Sequence, residues 1–438
     1  MKFPSRILVS AYACRPGGTV GFSGGEDVLG WNLVKQLSRF HEVSVLTSIS
    51  NRPGVEGASQ REPLPNVDFY YIDLPRWLWP LRSFQGGIQL YAYLWQARAY
   101  FAARRLHQRI NFHAFHHITY ANDWMASFIG ALLPVPFLRG PGGGAHRTPQ
   151  GLLCEYSLRG RFAERLRDIG QWVFRHDPFF RLGQGRARAI LVCNREAMEG
   201  VALQWRHKVR LFPLNGVSSE DLRLTASGNE FHRSMMGTEP AGYGAGKQRA
   251  TFLVLSAGKL LPIKGFSLAL QAFRAFVERC AEAQFTLIGS GTELPRLKSL
   301  ARQLGLETRV RFHPWMTRQE LLREMLSCDV FLFPSFRDGG GAVVVEAMAA
   351  GRPVICLDIG GPGMHVTNNC GIKIRPRSSD QVVREMAAAL ERLYKDKELR
   401  SRMGRAARER AEQVYHWDRL GERMMDIYAE VIRDETKY

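Results

Sequence analysis

The chain has 438 residues, 45% of them apolar, and carries a formal net charge of +19 at pH 7. That length is too great for one ordinary core and calls for two domains, while the apolar fraction rules out global disorder. No run reaches the roughly 18 apolar residues of a membrane-spanning helix; the best, "WMASFIGALLPVPFL" (124–138), is short and broken by Pro134 and Pro136.

At the N-terminus a Lys and an Arg precede "ILVSAYAC". This has the outline of a signal peptide, but the apolar run is short and reads as a first buried strand. The seven cysteines are odd in number, scattered and without metal-ligand spacing, which suits small core residues in a reducing, cytoplasmic compartment. About half of the positive excess sits in residues 101–210, with 17 Lys+Arg against 7 Asp+Glu, whereas 401–438 is balanced at eight against eight. Such a distribution suits anionic lipid or phosphorylated ligands. No zinc finger, RNP motif or long basic tail appears, so a nucleic-acid partner is not expected.

"RILVSAY" (6–12) ends in the turn-rich "CRPGGTVGFSGGE" and is followed by a helical stretch, "DVLGWNLVKQLSRF", and by "EVSVLTS" (42–48): a β-α-β unit with a Gly-rich loop after its first strand. Further strands are predicted at "VDFYYID" (67–73), "FHHITYA" (115–121), "PFLRG" (136–140), "AILVCN" (189–194) and "VRLFPLNG" (209–216). Between them, "PRWLWPLRS" (75–83) and "LYAYLWQARAYFAARRLHQRI" (90–110) mix aromatics with arginines. That pattern fits either an interfacial membrane contact or a half-buried helix with snorkelling Arg stems. "RGPGGG" (139–144) reads as a loop lining a binding cleft, or as a tight turn made for close packing. Residues 225–250, rich in Gly, Ser and Thr and without periodicity, read as a linker.

The second half restarts with "FLVLSAG" (252–258) and the helix "FSLALQAFRAFVERC". "FTLIGSG" (285–291), a helix through "LPRLKSLARQLG", "VRFHPW" (310–315), "DVFLFPS" (329–335) and "PVICLD" (353–358) follow. Alternating strands and helices predict an α/β chain of two mostly parallel sheets, with a cleft at the carboxyl ends of their strands. The boundaries expected are 1–224 for the first domain, 251–415 for the second, and 416–438 for a C-terminal helix that packs back on the first. In that helix Leu420, Met424, Ile427, Tyr428 and Val431 recur at helical spacing.

Two constellations carry chemistry. In "PSFRDGGGAVVVEAMAAGRPVI", Asp338 stands before Gly339, Gly340 and Gly341, and Glu346 lies about two turns into the helix that Gly351 and Pro353 close. Unshielded N–H groups at such a helix start can approach an anion or sugar oxygen, and two carboxylates can accept bonds from vicinal hydroxyls. The competing reading is an exposed N-cap Asp and an unrelated helix Glu. In "SAGKLLPIKGF" (256–266), Lys259 and Lys264 leave a strand end five residues apart and can clamp a diphosphate; the alternative is a solvated basic turn.

Taken in order, these pieces resemble the retaining glycosyltransferases of family 4, whose GT-B fold sets two Rossmann-like domains face to face. "GGE" (24–26) looks like that family's acceptor-side loop, "PLNGV" (213–217) its end-of-domain turn, and "GKLLPIKG" its diphosphate motif. "LIGSGTELPRLKSLARQLGLETRVRFHPW" resembles its nucleotide segment and the Asp338–Glu346 stretch its E-x7-E signature. The resemblance implies a nucleotide-diphosphate sugar donor bound by the second domain. Glu346 would hold the ribose, Asp338 the transferred sugar, and the Gly339–Gly341 loop the sugar and phosphate. Lys259 and Lys264 would neutralise the leaving diphosphate in place of a metal. Gly289, Gly291 and Pro314 would line the nucleotide, and Gly24, Gly25 and Glu26 the acceptor side. It implies no cofactor, a front-face retaining mechanism, a glycan, lipid-linked or polysaccharide acceptor, and a role in cell-envelope or exopolysaccharide synthesis. The enzyme would be cytoplasmic, with an anionic membrane surface as a further partner.

Three departures stand out. The first acid is Asp where the family has Glu, and the first diphosphate residue is Lys where it has Arg. Where the family often has a His near the sugar, this chain offers His116, His117 and His146, with Thr119 at the matching position; His117 is taken as the catalytic candidate, against the plainer reading of core histidines. The alternatives in function are a GT-B sugar-nucleotide epimerase and a non-catalytic sugar-nucleotide-binding protein.

Overall fold

The computed structural model describes residues 4–16, 25–83, 86–144, 146–226, 251–280 and 282–433. Gly24, most of the loop that contains it, and nearly all of the expected linker lie outside these residues. The chain divides into two compact units. The first comprises 1–146, 165–214 and 417–438, the second 147–164 and 215–416. This division departs from the boundary expected at 224, because residues 147–164 and 215–226 group with the second unit.

The first unit holds a parallel sheet in the order β3-β2-β1-β4-β5-β6-β7. Its strands are β1 (Arg6–Ala11), β2 (Glu42–Ser48), β3 (Val67–Ile72), β4 (Ala114–Thr119), β5 (Phe137–Gly142), β6 (Ala187–Val192) and β7 (Val209–Leu211). Helices cover both faces, so the strands read as unbroken apolar runs rather than alternating ones. In β1, Ile7, Val9 and Ala11 enter one core cluster while Leu8 enters the other. The helix Trp417–Arg433 joins the first of these through Leu420, Met424, Ile427, Tyr428 and Val431. Its Tyr428 hydroxyl reaches Nδ1 of His116 at 2.7 Å.

The second unit holds a parallel sheet in the order β10-β9-β8-β11-β12-β13. These strands are β8 (Phe252–Ala257), β9 (Ala283–Ile288), β10 (Val310–His313), β11 (Val330–Phe333), β12 (Val354–Leu357) and β13 (Gly371–Ile374). Val330 and Leu332 of β11 point into one core cluster, Phe331 and Phe333 into the other. Truncating Leu332, Phe331 or Phe333 to Ala would cost about 2–5 kcal/mol by the usual cavity penalty. In both sheets strand order reverses beside the first strand of the unit, between β1 and β4 and between β8 and β11. Such a switch point leaves a crevice at the carboxyl ends of the strands, where open α/β sheets take their ligands.

Candidate active site

In the second unit, β8 runs out into Gly258 and Lys259, then into the single turn Pro262–Lys264, from which the helix Phe266–Val277 starts. β11 runs out into the Asp338 loop. The two exits are tied together: Phe336 N and Ser335 Oγ donate to Ile263 O at 2.9 and 3.3 Å. That tie brings the Lys264 ammonium onto the Asp338 carboxylate and within 5.5 Å of the Phe333 ring centre. The two halves of the predicted site, 74 residues apart in sequence, therefore meet at the switch point. Lys259 is exposed, and partial burial with the neighbouring Lys264 charge lowers its pKa.

Asp338 does more than face Lys264. Its Oδ1 accepts from Gly340 N at 3.1 Å and Gly341 N at 2.6 Å, so it caps the start of the helix Ala342–Ala349. A helix start leaves N–H groups without partners, and the nearest carboxylate satisfies them. Gly341 sits at φ +60°, where a Cβ would be strained and would press on Pro362 at 3.0 Å. Cap and ion pair thus coexist on one carboxylate. The amides expected to meet sugar and phosphate are, in this state, held by Asp338.

A third layer, not anticipated from the sequence, holds the loop in place. Gly361 N donates to Asp338 O at 2.9 Å, and Gly340 O receives Nε2 of His365. Since a carbonyl only accepts, Nε2 carries the proton, and Nδ1 accepts from the Tyr415 hydroxyl at 3.0 Å. Burial pushes the His365 pKa down to about 4 despite the Gly340 carbonyl, which keeps the ring neutral. "IGGPGMH" (359–365) was the available signal, a Gly-rich turn directly after a strand.

Glu346 makes its ion pair elsewhere. Arg318 Nη2 lies 3.3 Å from its Oε1 and 3.1 Å from Asp221 Oδ2. Arg318 opens the helix Arg318–Ser327, whose start is fixed by a reciprocal Thr317–Glu320 capping box. Burial raises the Glu346 pKa, with Asp221 adding to the rise and Arg318 opposing it. Arg318 and Asp221 escaped sequence reasoning because no short-range pattern joins them to Glu346.

The nucleotide candidates lie at the same end of the sheet. Gly258 N donates to Ile288 O at 3.0 Å, Leu260 N to Ser290 O at 2.9 Å, and Gly289 N to His313 O at 2.9 Å, lacing the exits of β8, β9 and β10 together. A Cβ on Gly289 would fall 1.9 Å from Gly258 O, so only glycine lets these loops close up. Gly291 sits on Leu260 in the same way. Pro314 follows β10 and is exposed.

In the first unit, Glu26 Oε2 accepts from Tyr120 N at 2.7 Å, joining the start of the helix Gly25–Leu37 to the exit of β4. Burial pushes its carboxyl up to about 6, with Asp27 adding to the rise and the Tyr120 amide opposing it. Gly25 begins the helix Gly25–Leu37. The histidine expectation is corrected: His117 is fully buried in β4, with Nε2 at 3.0 Å from both Gln96 Nε2 and Thr119 O. Burial holds it at about 3, neutral and closed off from solvent, as a core residue. His116 is likewise buried between Tyr428 and Gly140 O. Thr119 accepts from Ala13 N at 3.0 Å, and His146 is buried. "RGPGGG" follows the close-packing reading: Gly142 and Gly143 would drive a Cβ into Ala121 O at 2.2 Å and Cys193 Sγ at 2.5 Å. Among the described residues no group of three or more His, Cys, Asp or Glu is arranged to hold a metal.

Comparison with known proteins agrees with this layout. Residues 245–410 match the family described as Glycosyl transferases group 1. Over 233 residues the chain is 30% identical to a D-inositol 3-phosphate glycosyltransferase of Saccharomonospora viridis, covering 51% of this chain and 53% of that protein. The chain spans about half the length of the curated relatives it matches first. Among solved structures, HepE of Anabaena, crystallised with UDP and glucose, aligns at TM-score 0.60 and 16% identity, covering 97% of this chain and 99% of that one. Sucrose-phosphate synthase of Thermosynechococcus elongatus aligns at TM-score 0.64 and 18% identity, covering 98% and 100%. The architecture is the α/β GT-B fold, with its two doubly wound parallel sheets. The residues that match the glycosyl transferases group 1 family include Lys259, Lys264, Asp338 and Glu346.

Proposed function

We propose that the chain is a retaining, metal-independent glycosyltransferase of the family 4 type. It moves a sugar from a nucleotide-diphosphate donor held by the second unit to a glycan, lipid-linked or polysaccharide acceptor. The observation that carries this reading is the meeting of Lys264 and Asp338 at the β8/β11 switch point, beside the Gly340–Gly341 helix start. A diphosphate brings negative charge to this place. Lys264 then turns from Asp338 to the phosphates, joined by Lys259, and the two cations offset the charge that grows as the diphosphate departs. Asp338, relieved of its partner, accepts bonds from sugar hydroxyls, and the helix N–H groups become available to donor oxygens. Glu346 meets the ribose hydroxyls, with Arg318 fixing its carboxylate. In the front-face course a donor phosphate oxygen takes the acceptor proton, so no enzyme carboxylate attacks the sugar and His117 has no part.

Site of action and acceptor follow from charge. The basic first half suits an acceptor or membrane surface carrying phosphates, at the cytoplasmic face. Two other readings, an epimerase and a non-catalytic binder, share the donor site and differ in product. A thermal-shift screen of nucleotide-diphosphate sugars, with UDP as the first probe, tests the donor site. A true donor at 100 times its Kd adds about 2.7 kcal/mol of apparent stability. No shift with any nucleotide would overturn the proposal.

A further inference from the structure

The helix Leu158–Arg175 shows water a face that a folded protein ordinarily hides. Gln171 is its one buried residue. Leu158, Phe162, Leu166, Ile169, Trp172 and Val173 are 81, 63, 53, 59, 62 and 54% exposed. Steps of three and four residues place them on a single stripe of the helix. A contiguous apolar stripe of this kind marks a surface that something covers.

The charges on the helix say what. Arg159, Arg161 and Arg165 are exposed and flank the stripe, and among the described residues none of them is paired with a carboxylate. Both acids of the helix are engaged with arginines, Glu164 mostly buried and Asp168 about a third exposed. Glu164 pairs with Arg337, and Asp168 lies 3.2 Å from Arg167. Arg167 and Gln171 also donate to Gly144 O at 3.2 and 2.9 Å, which fixes the inward face. The outward face is therefore apolar and predominantly cationic. A second copy of the same face would oppose arginine to arginine, whereas an anionic lipid surface complements both features at once. No helix among the described residues is long and apolar enough to cross a membrane, so the contact is one that lies on the surface.

We propose that Leu158–Arg175 rests in the plane of an anionic membrane surface, its apolar stripe at the acyl boundary and its outward arginines on lipid phosphates. This deepens the membrane part of the function proposed above and rests on that part alone, not on the donor chemistry. It also moves the contact away from residues 90–110, whose helix Gly87–Ile110 buries Tyr91, Trp95, Ala99 and Ala103 in the core.

The test is co-sedimentation of the full chain with phosphatidylcholine vesicles and with vesicles containing phosphatidylglycerol, at low and high salt. Binding to the anionic vesicles alone, released by salt, is expected. Arg161 also donates to Tyr156 O at 3.3 Å, so the probe replaces Arg159 and Arg165 together by Ala, which should lower partitioning on the order of thirtyfold. Ile169→Glu with Trp172→Glu should abolish it, and both variants should keep the wild-type thermal midpoint and its shift with UDP. Variants that sediment like wild type overturn the assignment to this helix and leave the membrane reading standing. Wild-type protein that binds neither vesicle, or both equally, overturns both. So does a wild-type dimer that these substitutions dissociate without any lipid dependence. None of these outcomes alters the UDP shift, which reports on the donor site separately.

Discussion

Asp338→Asn separates the two duties of this side chain. The Asn carbonyl oxygen still accepts from Gly340 N and Gly341 N, so the helix cap survives, while the amide nitrogen would face the Lys264 ammonium, donor against donor. The pair it breaks has side chains only 16 and 17% exposed, so solvent screens it little. A hydrogen bond to a charged group is worth about 1.5–3 kcal/mol, which sets the expected loss of transition-state stabilisation and hence a fall of about tenfold to somewhat over a hundredfold in kcat/KM. Stability should drop by about 1–3 kcal/mol, because Lys264, itself only 16% exposed, loses a weakly screened partner. Asp338→Ala removes the cap as well and should cost about 1 kcal/mol more. The assay pairs initial-rate kinetics with thermal midpoints for the three proteins. An Asp338→Asn enzyme that transfers sugar at the wild-type rate would refute the sugar-binding role and leave Asp338 a helix cap alone.

Four further outcomes are expected. Lys264→Ala should raise the donor KM and lower kcat together, Lys259→Arg should retain activity, and chelators should leave the wild type active; activity lost to chelation and restored by magnesium would sink the two-lysine account. Glu346→Gln should weaken binding of the sugar-free nucleotide more than Asp338→Asn does, as titration calorimetry can measure. Arg318→Ala leaves Glu346 and Asp221 as like charges without their cation, at a cost of about 3 kcal/mol, and an unchanged thermal midpoint would show the cluster to be dispensable. Finally, His116, His117 and His365 are held down to about 3, 3 and 4, against an ordinary value near 6.5. Their unfolded forms bind protons first, so the stability they supply is whole above pH 6.5 and is lost as pH falls toward 4. Glu26, raised to about 6, and Glu346, also raised by burial, work the opposite way, but two carboxyls against three imidazoles leave a net loss. A thermal midpoint that holds or rises between pH 6.5 and 4.5 would contradict this.

Twelve of the thirteen strands among the described residues were legible as apolar runs because both faces of each sheet are covered, and the burial of β4, β5, β11 and β12 bears that out. β13, "GIKI", was not, being four residues long with a lysine among them. Full coverage also explains the error at His117. In a sheet with one open face, either His116 or His117 would meet solvent, but here helices bury both. Lys264 and Asp338 could be read because each sits at a turn that its own neighbours announce. Arg318, Asp221 and Tyr415 could not, since their partners are set by packing between elements far apart in sequence. Leu158–Arg175 was passed over for a related reason: its periodicity follows a surface that none of the described residues covers.

The central claim is transfer of a sugar from a nucleotide donor. It is tested most directly by product analysis of the purified chain with a panel of nucleotide-diphosphate sugars, with and without phosphorylated glycan and lipid-linked acceptors, recording nucleoside diphosphate release and the anomeric configuration of the product. The account predicts release that depends on acceptor, a product of retained configuration, and loss of both in Lys264→Ala. A nucleotide sugar isomerised without acceptor, or no release from any donor by folded, nucleotide-binding protein, would contradict it.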